Sequence, residues 1–400
     1  MDVAAFFRTS RVLVVAGKGG VGKTTITAAL ARMAAHAGLS VLVVELEGKP
    51  GVPAAFGRSG ALAYDESLLA GFEPDDGSAP APPGRGTVRA RRITPDDALL
   101  EYLADHGMKR ISRRLVSSGA LDVVATAIPG LRDILVLGKV KSLEREPAAD
   151  LILVDAPATG HAMTFLSSAQ GLLDAARSGP VRTQAADVVE MLSDAERCQV
   201  VLVTLAEEMP VNEVVEAAYQ LEDRIGISLG PVIVNACLPA DPRLDRDAGE
   251  AAAEVGVTLT DAQADALRAA AAFRAHRFGL QEEQRGRLAA ELPLPQLEAP
   301  FLFSSRIGPD ELDDLAAGLA TAVLALPDDA AAAARRHPSS QAARSGDDRA
   351  GADRTPDDGG GDGHPGGDGT GDGDGGGGDG SGGDGNPGPR GAGAHDEVPS

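Results

Sequence analysis

The sequence predicts an α/β fold in which a mostly parallel sheet is covered by helices on both faces. Three observations support this prediction. Five short runs of apolar, largely β-branched residues lack the alternation of half-exposed strands, as expected of buried parallel strands. Helical stretches separate several of these runs, and the first run leads through a glycine-rich loop into a helix. The five runs are residues 11–16, 41–45, 151–155, 200–204 and 231–235.

Two helices of this framework are marked by residue spacing and by their ends. Between the first two runs, apolar residues recur at helical intervals over 26–37, and Gly38 follows where a C-cap glycine belongs. After the fourth run, a helix is predicted that begins near Pro210 and ends before Gly226. This alternation of strand and helix implies right-handed crossovers between parallel strands.

The composition divides the chain into three predicted parts. Residues 1–52 and 150–326 are expected to form the α/β core. The stretch 53–149 contains no convincing strand and several amphipathic segments, so it is predicted to form a helical insertion subdomain. Residues 327–400 are rich in Gly and Asp, and they cannot bury enough apolar area to offset the entropy of ordering. They are predicted to form a disordered tail.

Charge and composition exclude several classes of function. The 37 Lys and Arg residues against 59 Asp and Glu residues give a net charge of −22, which argues against nucleic-acid binding. No apolar run reaches the roughly 18 residues of a membrane span, and the first residues lack a signal-peptide pattern. Cys198 and Cys237 exclude a disulfide scaffold and are interpreted as buried structural residues. A cytoplasmic location is predicted, with a peripheral contact to a membrane left open.

Residues 17–24 carry a phosphate-binding signature, G-x-x-x-x-G-K-T, between the first strand and the first helix. Its glycines let backbone amides turn toward phosphates, and the helix N-terminus adds a favourable partial charge. Lys23 is expected to reach the β- and γ-phosphates of a nucleotide, and the Thr24 hydroxyl to ligate Mg²⁺. The residues predicted to bind the nucleotide here are Gly17, Gly19, Gly20, Val21, Gly22, Lys23, Thr24 and Thr25.

A second lysine, Lys18, stands early in this loop, which reads G-K-G-G-V-G-K-T. This form resembles the deviant Walker A loop of a family of dimeric ATPases that includes chromosome-partitioning, cell-division-site, nitrogenase-iron-protein and arsenite-pump proteins. The resemblance implies that Lys18 crosses a dimer interface to stabilise transition-state charge on the partner's nucleotide. The alternative is that Lys18 only solvates its own loop.

The stretch after the third run narrows the resemblance. Residues 155–161 read D-A-P-A-T-G-H and resemble the D-T-A-P-T-G-H switch of the arsenite-pump and tail-anchored-protein-targeting ATPases, with the proline displaced by one position. The resemblance to this family covers about residues 10–305. It implies that Asp155 orders the Mg²⁺ shell through water. It also implies a switch that senses the γ-phosphate and moves the helical insert. The residues of this switch are Thr159, Gly160 and His161.

The same family uses an asparagine after a late strand to read adenine. Asn235 ends the fifth run, and its amide can donate and accept at once, as the adenine edge requires. The alternative is a strand-end asparagine that caps a turn. The stretch 292–300 resembles the family's last strand and the loop beside the base, which implies that Pro295 lines the adenine pocket. ATP and Mg²⁺ are therefore the expected ligands.

The segment after the second strand departs from the family, which has D-P-A-H-N there with an Asp taken to activate water. Aligned without gaps, Glu47 falls at the position of that Asp, and residues 48–51 replace the other four. Glu47 keeps a carboxylate able to orient water but is one methylene longer. Three interpretations stay open: normal hydrolysis with Glu47 as the base, slow hydrolysis, or a heterodimer whose partner supplies the better site. This variant resembles an actinobacterial branch of the family.

The predicted helical insert raises the question of a client. In the targeting ATPases such helices open an apolar groove for a client's membrane helix. Four apolar residues are candidates for such a groove here: Leu131, Ile134, Leu135 and Leu137. The alternative is that they pack the core of the subdomain. The basic clusters at 89–92 and 109–114 are interpreted as solvated faces, with an acidic partner or a membrane surface as the alternative.

Together these observations predict an ATP hydrolase that acts as a dimeric switch and couples ATP turnover to the handling of a hydrophobic client or a partner. One phosphate loop is present, so assembly must join separate chains, as a homodimer or as a heterodimer with a paralogous ATPase. One alternative is a weakly hydrolysing subunit of such a heterodimer, and another is the energising subunit of an anion or metalloid pump. Two cysteines are one short of a three-thiolate metalloid site.

Overall fold

A sheet of eight strands forms the centre of the protein within the described part of the chain. The computed structural model describes residues 1–46, 51–71, 86–105, 107, 130–146 and 149–327. The strands are β1 (Val12–Gly17), β2 (Val41–Leu46), β3 (Ser67–Ala70), β4 (Val88–Ile93), β5 (Leu151–Ala158), β6 (Cys198–Leu205), β7 (Val232–Cys237) and β8 (Gln296–Pro300). Their order is β3-β4-β2-β5-β1-β6-β7-β8, and every neighbouring pair except β3 and β4 is parallel. The mostly parallel sheet expected from the sequence is confirmed.

Helices connect these strands and cover the sheet. Within the described ranges they are α1 (Val3–Phe7), α2 (Lys23–His36), α3 (Val52–Ala55), α4 (Pro95–Asp105), α5 (Leu131–Arg145), α6 (Thr159–Ala175), α7 (Pro180–Ser193), α8 (Glu208–Gln220), α9 (Ala248–Glu254), α10 (Asp261–Glu291) and α11 (Pro309–Leu324). A π-helical turn, Leu221–Ile225, extends α8. Gly38 follows α2 and Gly226 follows this turn, with φ of +86° and +70°, so both end signals are confirmed.

Alternate residues of the central strands point to opposite faces of the sheet, and each face is buried under helices. On one face, Leu13 and Val15 of β1 cluster with apolar residues of α2 and α11. On the other face, Val12 and Val14 cluster with apolar residues of α5, α6, α7 and α8. All four are at most 2% exposed, and full burial of such a side chain stabilises the fold by about 1.5–3 kcal/mol. The loop after β1 therefore follows a strand whose six residues are all buried.

The prediction that residues 53–149 contain no strand is wrong. Both β3 and β4 lie in this stretch, and β4 pairs in parallel with β2 along its whole length. The short β3 then pairs antiparallel with β4 at the edge of the sheet. The α/β sheet therefore takes two strands from the stretch assigned to a helical insertion, which also supplies α3, α4 and α5.

Strand β4 escaped prediction because three of its six residues are arginines. Arg91 is only 8% exposed, and its guanidinium lies over the ring of Tyr64, 4.5 Å from the ring centroid. Arg89 forms an ion pair with Glu66 over 3.0 Å. An arginine carries an aliphatic stem that packs like an apolar side chain once its head has a partner. The interpretation of the cluster at 89–92 as a solvated face is therefore wrong for Arg91.

The four residues considered for a client groove pack inside the protein. Leu131, Ile134, Leu135 and Leu137 of α5 are each at most 8% exposed and belong to the apolar cluster on that side of the sheet. The alternative that they pack a core is confirmed.

Several predictions fall outside the described residues. Glu47, the basic cluster at 109–114 and nearly all of the predicted tail, 328–400, belong to this group, as do the side chains of 158–161. Among the helices in the described ranges, none combines the length and apolarity needed to cross a membrane.

Candidate active site

The loop between β1 and α2 is shaped by two glycine positions. At Gly17, φ is +155° and a Cβ would lie 2.3 Å from the carbonyl oxygen of Val203 in β6. At Gly22, φ is +90° and a Cβ would lie 2.3 Å from Nδ2 of Asn235 in β7. A side chain at either position would collide with its neighbour, in a backbone conformation that L-residues rarely adopt. The backbone of the loop therefore packs directly against β6 and β7.

Lys23 opens α2 and is 7% exposed, although lysines are rarely buried without partners. Its Nζ donates a hydrogen bond to the carbonyl oxygen of Lys18 over 2.8 Å, so the side chain curls back across the loop. The ammonium group therefore lies beside the loop amides at a helix N-terminus, where anions are bound most favourably. The predicted contact of Lys23 with the nucleotide phosphates stays a prediction.

Thr24, the residue that follows Lys23 in α2, contacts Asp155. The Thr24 hydroxyl donates to Asp155 Oδ2 over 2.7 Å, and the Thr27 hydroxyl donates to Asp155 Oδ1 over 3.4 Å. Asp155 is 7% exposed and lies near the carboxyl end of β5, which pairs in parallel with β1. A hydroxyl and a carboxylate held together are the hard oxygen ligands that Mg²⁺ prefers. The two predicted metal residues are thus in direct contact.

The side chain of Lys18 forms an ion pair with Glu213 of α8. Its side chain is 40% exposed and that of Glu213 is 31% exposed, so the pair lies at the surface of the site. A cavity of about 680 Å³ opens beside Lys18 and Gly19, between α6 and α8. Lys18 is therefore held within its own chain here, next to an open cleft.

Asn235 ends β7 in contact with the phosphate loop. Its Nδ2 donates to the carbonyl oxygen of Val21 over 2.9 Å, and its Oδ1 accepts from the amide of Ala236 over 2.8 Å. Both functions of the amide are thus engaged within the protein. Ala236 has φ of +58°, which is rare for a residue other than glycine. The adenine contact of Asn235 stays a prediction.

Pro295 does not lie near this group. Its carbonyl oxygen accepts from the amide of Val232 over 2.8 Å, at the amino end of β7. The parallel β7 and β8 place Pro300 beside Cys237, at the opposite, carboxyl edge where the other site residues lie. Pro295, the proline expected to line the adenine pocket, therefore lies about one strand length from the carboxyl edge. The chain that leaves β8 after Pro300 reaches that edge instead.

Glu45 is a buried acidic residue of this edge that the sequence analysis missed. It is 2% exposed, and β2 places it in register with Asp155 of β5 and Arg92 of β4. Its Oε1 accepts from the amide of Gly51 over 3.0 Å. Burial raises the pKa of Glu45, against the lowering effect of the amides of Gly51 and Val52. The signal that could have identified Glu45 from the sequence is an acidic residue within an otherwise apolar run.

Both cysteines are buried, as the sequence predicted. Cys198 is 0% exposed at the start of β6, and Cys237 is 5% exposed at the end of β7. Burial raises the pKa of each thiol to about 12. Both therefore remain protonated at neutral pH.

The fold and these contacts define the class of protein. A glycine loop joins the central strand to a helix, with a buried ammonium group and a hydroxyl–carboxylate pair at the start of that helix. This donor set fits the phosphates and Mg²⁺ of a bound nucleotide. The protein is a P-loop nucleoside triphosphatase.

Comparison with known proteins identifies the family. Residues 12–118 match the CobQ/CobB/MinD/ParA nucleotide binding domain, and residues 175–254 match the anion-transporting ATPase family. The chain is 35% identical over 316 residues to ATPase BagA of Mycobacterium tuberculosis, covering 72% of this chain and 87% of that protein. It is 28% identical over 155 residues to ATPase get3 of Schizosaccharomyces japonicus, covering 39% of this chain and 43% of that protein. The chain belongs to the anion-transporting ATPase family and is an ATPase.

Proposed function

We propose that this chain is a Mg²⁺- and ATP-dependent switch that works as a dimer and couples ATP hydrolysis to the handling of a client or partner. The observation that carries the proposal is the 2.7 Å contact between Thr24 and Asp155 beside the buried Lys23. These three groups supply the charge and the oxygen ligands that phosphoryl transfer to water needs. The family assignment supports the same chemistry.

Each residue of the site has a role in this proposal. Lys23 and the loop amides bind the β- and γ-phosphates, and Thr24 with Asp155 would hold Mg²⁺. When bound, that ion neutralises charge on the phosphate oxygens. Lys18 would leave Glu213 and enter the site of the second chain.

The remaining roles fall on residues whose side chains lie outside the described part. Glu47 would orient the attacking water, at a rate that its extra methylene lowers relative to Asp. The segment 159–161, at the start of α6, would respond to the γ-phosphate and pass the change to the helices that follow.

The first experiment is steady-state ATP hydrolysis by the purified chain, with the mass in solution measured with and without Mg²⁺-ATP. We expect turnover and an ATP-dependent dimer, with turnover lost in Lys23→Ala. A wild-type chain that binds ATP and never hydrolyses it would contradict the proposal.

Mixing two inactive variants tests whether Lys18 acts across the dimer. Lys18→Ala keeps an intact phosphate site, and Lys23→Ala keeps the lysine that would cross. If Lys18 acts in the partner's site, an equimolar mixture regains about a quarter of the wild-type rate, because half of the dimers are mixed and each has one complete site. If Lys18 acts in its own chain, the mixture stays inactive.

The weakly hydrolysing subunit of a heterodimer is the second candidate, because Glu47 stands where the family has Asp. Glu47→Gln separates the two. Loss of turnover supports the self-sufficient ATPase, and unchanged function supports a partner subunit that completes the site.

Support for client handling comes from the long helix α10. Across its 31 residues only Gln281 and Leu288 are buried, while Leu267 is 50% and Phe273 is 67% exposed. An exposed apolar surface of this kind suits an apolar partner. We expect the ATP-bound chain to keep an apolar helical peptide of about 20 residues soluble, and Phe273→Ser to weaken that protection.

A further inference from the structure

Glu45 is placed to act on the metal-binding hydroxyl without touching it. A carboxylate that is 98% buried is costly unless it is paired or hydrogen-bonded, and Glu45 is 2% exposed. Its carboxylate accepts from the Gly51 amide over 3.0 Å and also from the Val52 amide. These amides belong to Gly51, the N-cap of α3, and to Val52, its first residue, so Glu45 fixes the position of the start of α3.

The backbone that Glu45 holds lies against Thr24. A Cβ on Gly51 would be 2.5 Å from Thr24 Cγ2 and 3.8 Å from Thr24 Oγ1. Gly51 therefore packs on the methyl group of Thr24 and leaves its hydroxyl on the side of Asp155, to which it donates over 2.7 Å. A helical threonine divides between two χ1 rotamers, so a wall against its methyl group selects one of them.

The geometry points to Glu45 as a positioning residue for the Mg²⁺ ligand Thr24, acting through the backbone of Gly51. This inference rests on the proposed function, because it assumes that the Thr24 hydroxyl ligates the metal ion. It adds a residue that the phosphate-loop signature does not contain. The contacts form a continuous path: Glu45 carboxylate, Gly51 amide, Gly51 α-carbon, Thr24 methyl.

The test measures the Mg²⁺ concentration that gives half-maximal ATP hydrolysis. Glu45→Gln leaves one acceptor oxygen for two amides and places an NH₂ group beside them. We expect the half-saturating Mg²⁺ concentration to rise about fivefold, the effect of losing roughly one hydrogen bond. ATP affinity in EDTA should stay unchanged, because no phosphate contact is altered. A merely structural role would lower thermal stability without separating these two quantities.

A double-mutant cycle with Thr24→Ser makes the test specific. Serine keeps the hydroxyl and lacks the methyl group on which Gly51 packs. In the Thr24→Ser background, Glu45→Gln should therefore add no further change to the Mg²⁺ dependence. An equal rise in both backgrounds would overturn the inference, as would an unchanged Mg²⁺ dependence in Glu45→Gln alone.

Gly51→Ala provides a second approach if Glu45→Gln fails to fold. Its φ of −96° accepts alanine, so the new Cβ acts only through its contact with Thr24. We expect the half-saturating Mg²⁺ concentration to rise, and Thr24→Ser to reverse most of that rise. Gly279→Ala, where nothing lies within 4 Å, is the matched control. If Thr24→Ser leaves that rise unchanged, the inference is overturned. Absence of any ATP hydrolysis in the wild-type chain would instead refute the proposed function.

Discussion

Two glycines of the phosphate loop share the same φ but differ in what an added side chain would meet. Gly20 and Gly22 both have φ of +90°, but a Cβ on Gly20 meets nothing within 4 Å, whereas one on Gly22 lies 2.3 Å from Asn235 Nδ2. Alanine in this left-handed region costs about 1–2 kcal/mol. We expect Gly20→Ala to show that cost alone. The gain from restricting the unfolded chain applies equally to both variants and cancels in their difference.

Gly22→Ala carries an additional cost because Asn235 must move. Movement breaks the hydrogen bond to the Val21 carbonyl oxygen, 2.9 Å, and the one from the Ala236 amide, 2.8 Å. Each is worth about 0.5–1.5 kcal/mol, so Gly22→Ala should be less stable than Gly20→Ala by about 1–3 kcal/mol. In an Asn235→Ala background the collision is absent, and this difference should vanish.

The assay is urea unfolding without nucleotide, followed by far-ultraviolet circular dichroism because the chain has no tryptophan. Five variants are compared with the wild type: Gly20→Ala, Gly22→Ala, Asn235→Ala and the two pairs Gly20→Ala/Asn235→Ala and Gly22→Ala/Asn235→Ala. Equal losses at the two glycines would refute the packing of Asn235 on the loop. A difference that persists in the Asn235→Ala background would assign the extra cost to the backbone.

Three further outcomes follow from the structure. Glu213→Gln releases Lys18 from a surface ion pair worth at most about 1 kcal/mol, so ATP-dependent dimers should form at up to about fivefold lower protein concentration in size-exclusion runs. A requirement for more protein would contradict this. The hydrogen bond from Lys141 holds the pKa of Asp187 below its usual 3.8, so its stabilisation is present above that value and lost as pH falls through the lower folded value. Asp187→Asn should therefore unfold at lower urea than wild type at pH 7, by a difference that shrinks as the pH falls below 3.8, and a constant difference would refute the pairing. Cys198, with its pKa raised to about 12, should react with a thiol reagent at pH 8 only after unfolding, and rapid native labelling would show that it is accessible.

The sequence predicted those elements in which residue polarity alone indicates whether a position is buried. Strands such as β1 (Val12–Gly17) are apolar throughout because both of their faces are buried, and that pattern is visible without the fold. Strand β4 (Val88–Ile93) also has a buried residue, Arg91, but its burial depends on the ring of Tyr64, which comes from a separate part of the chain. The composition of a strand cannot indicate that a distant side chain, here the ring of Tyr64, will cover one of its charged residues.

The position of Pro295 is a second feature that the sequence alone could not predict. The resemblance over 292–300 covers strand β8 but does not specify which end of it lies at the carboxyl edge of the sheet. The register of β8 against β7 decides that, because residues at the two ends of a five-residue strand lie at opposite edges of the sheet.

By itself the sequence determined the α/β class and the phosphate loop, and it predicted Lys23, Thr24 and Asp155 as site residues, because these depend on local spacing and on strand order along the chain. Only the tertiary structure decided that Lys18 rests on Glu213 and that Glu45 holds Gly51 against Thr24. In the first pair the residues are 195 positions apart, and in the second the contact runs through backbone atoms that every residue type shares. Contacts of these two kinds leave no local pattern in a single sequence.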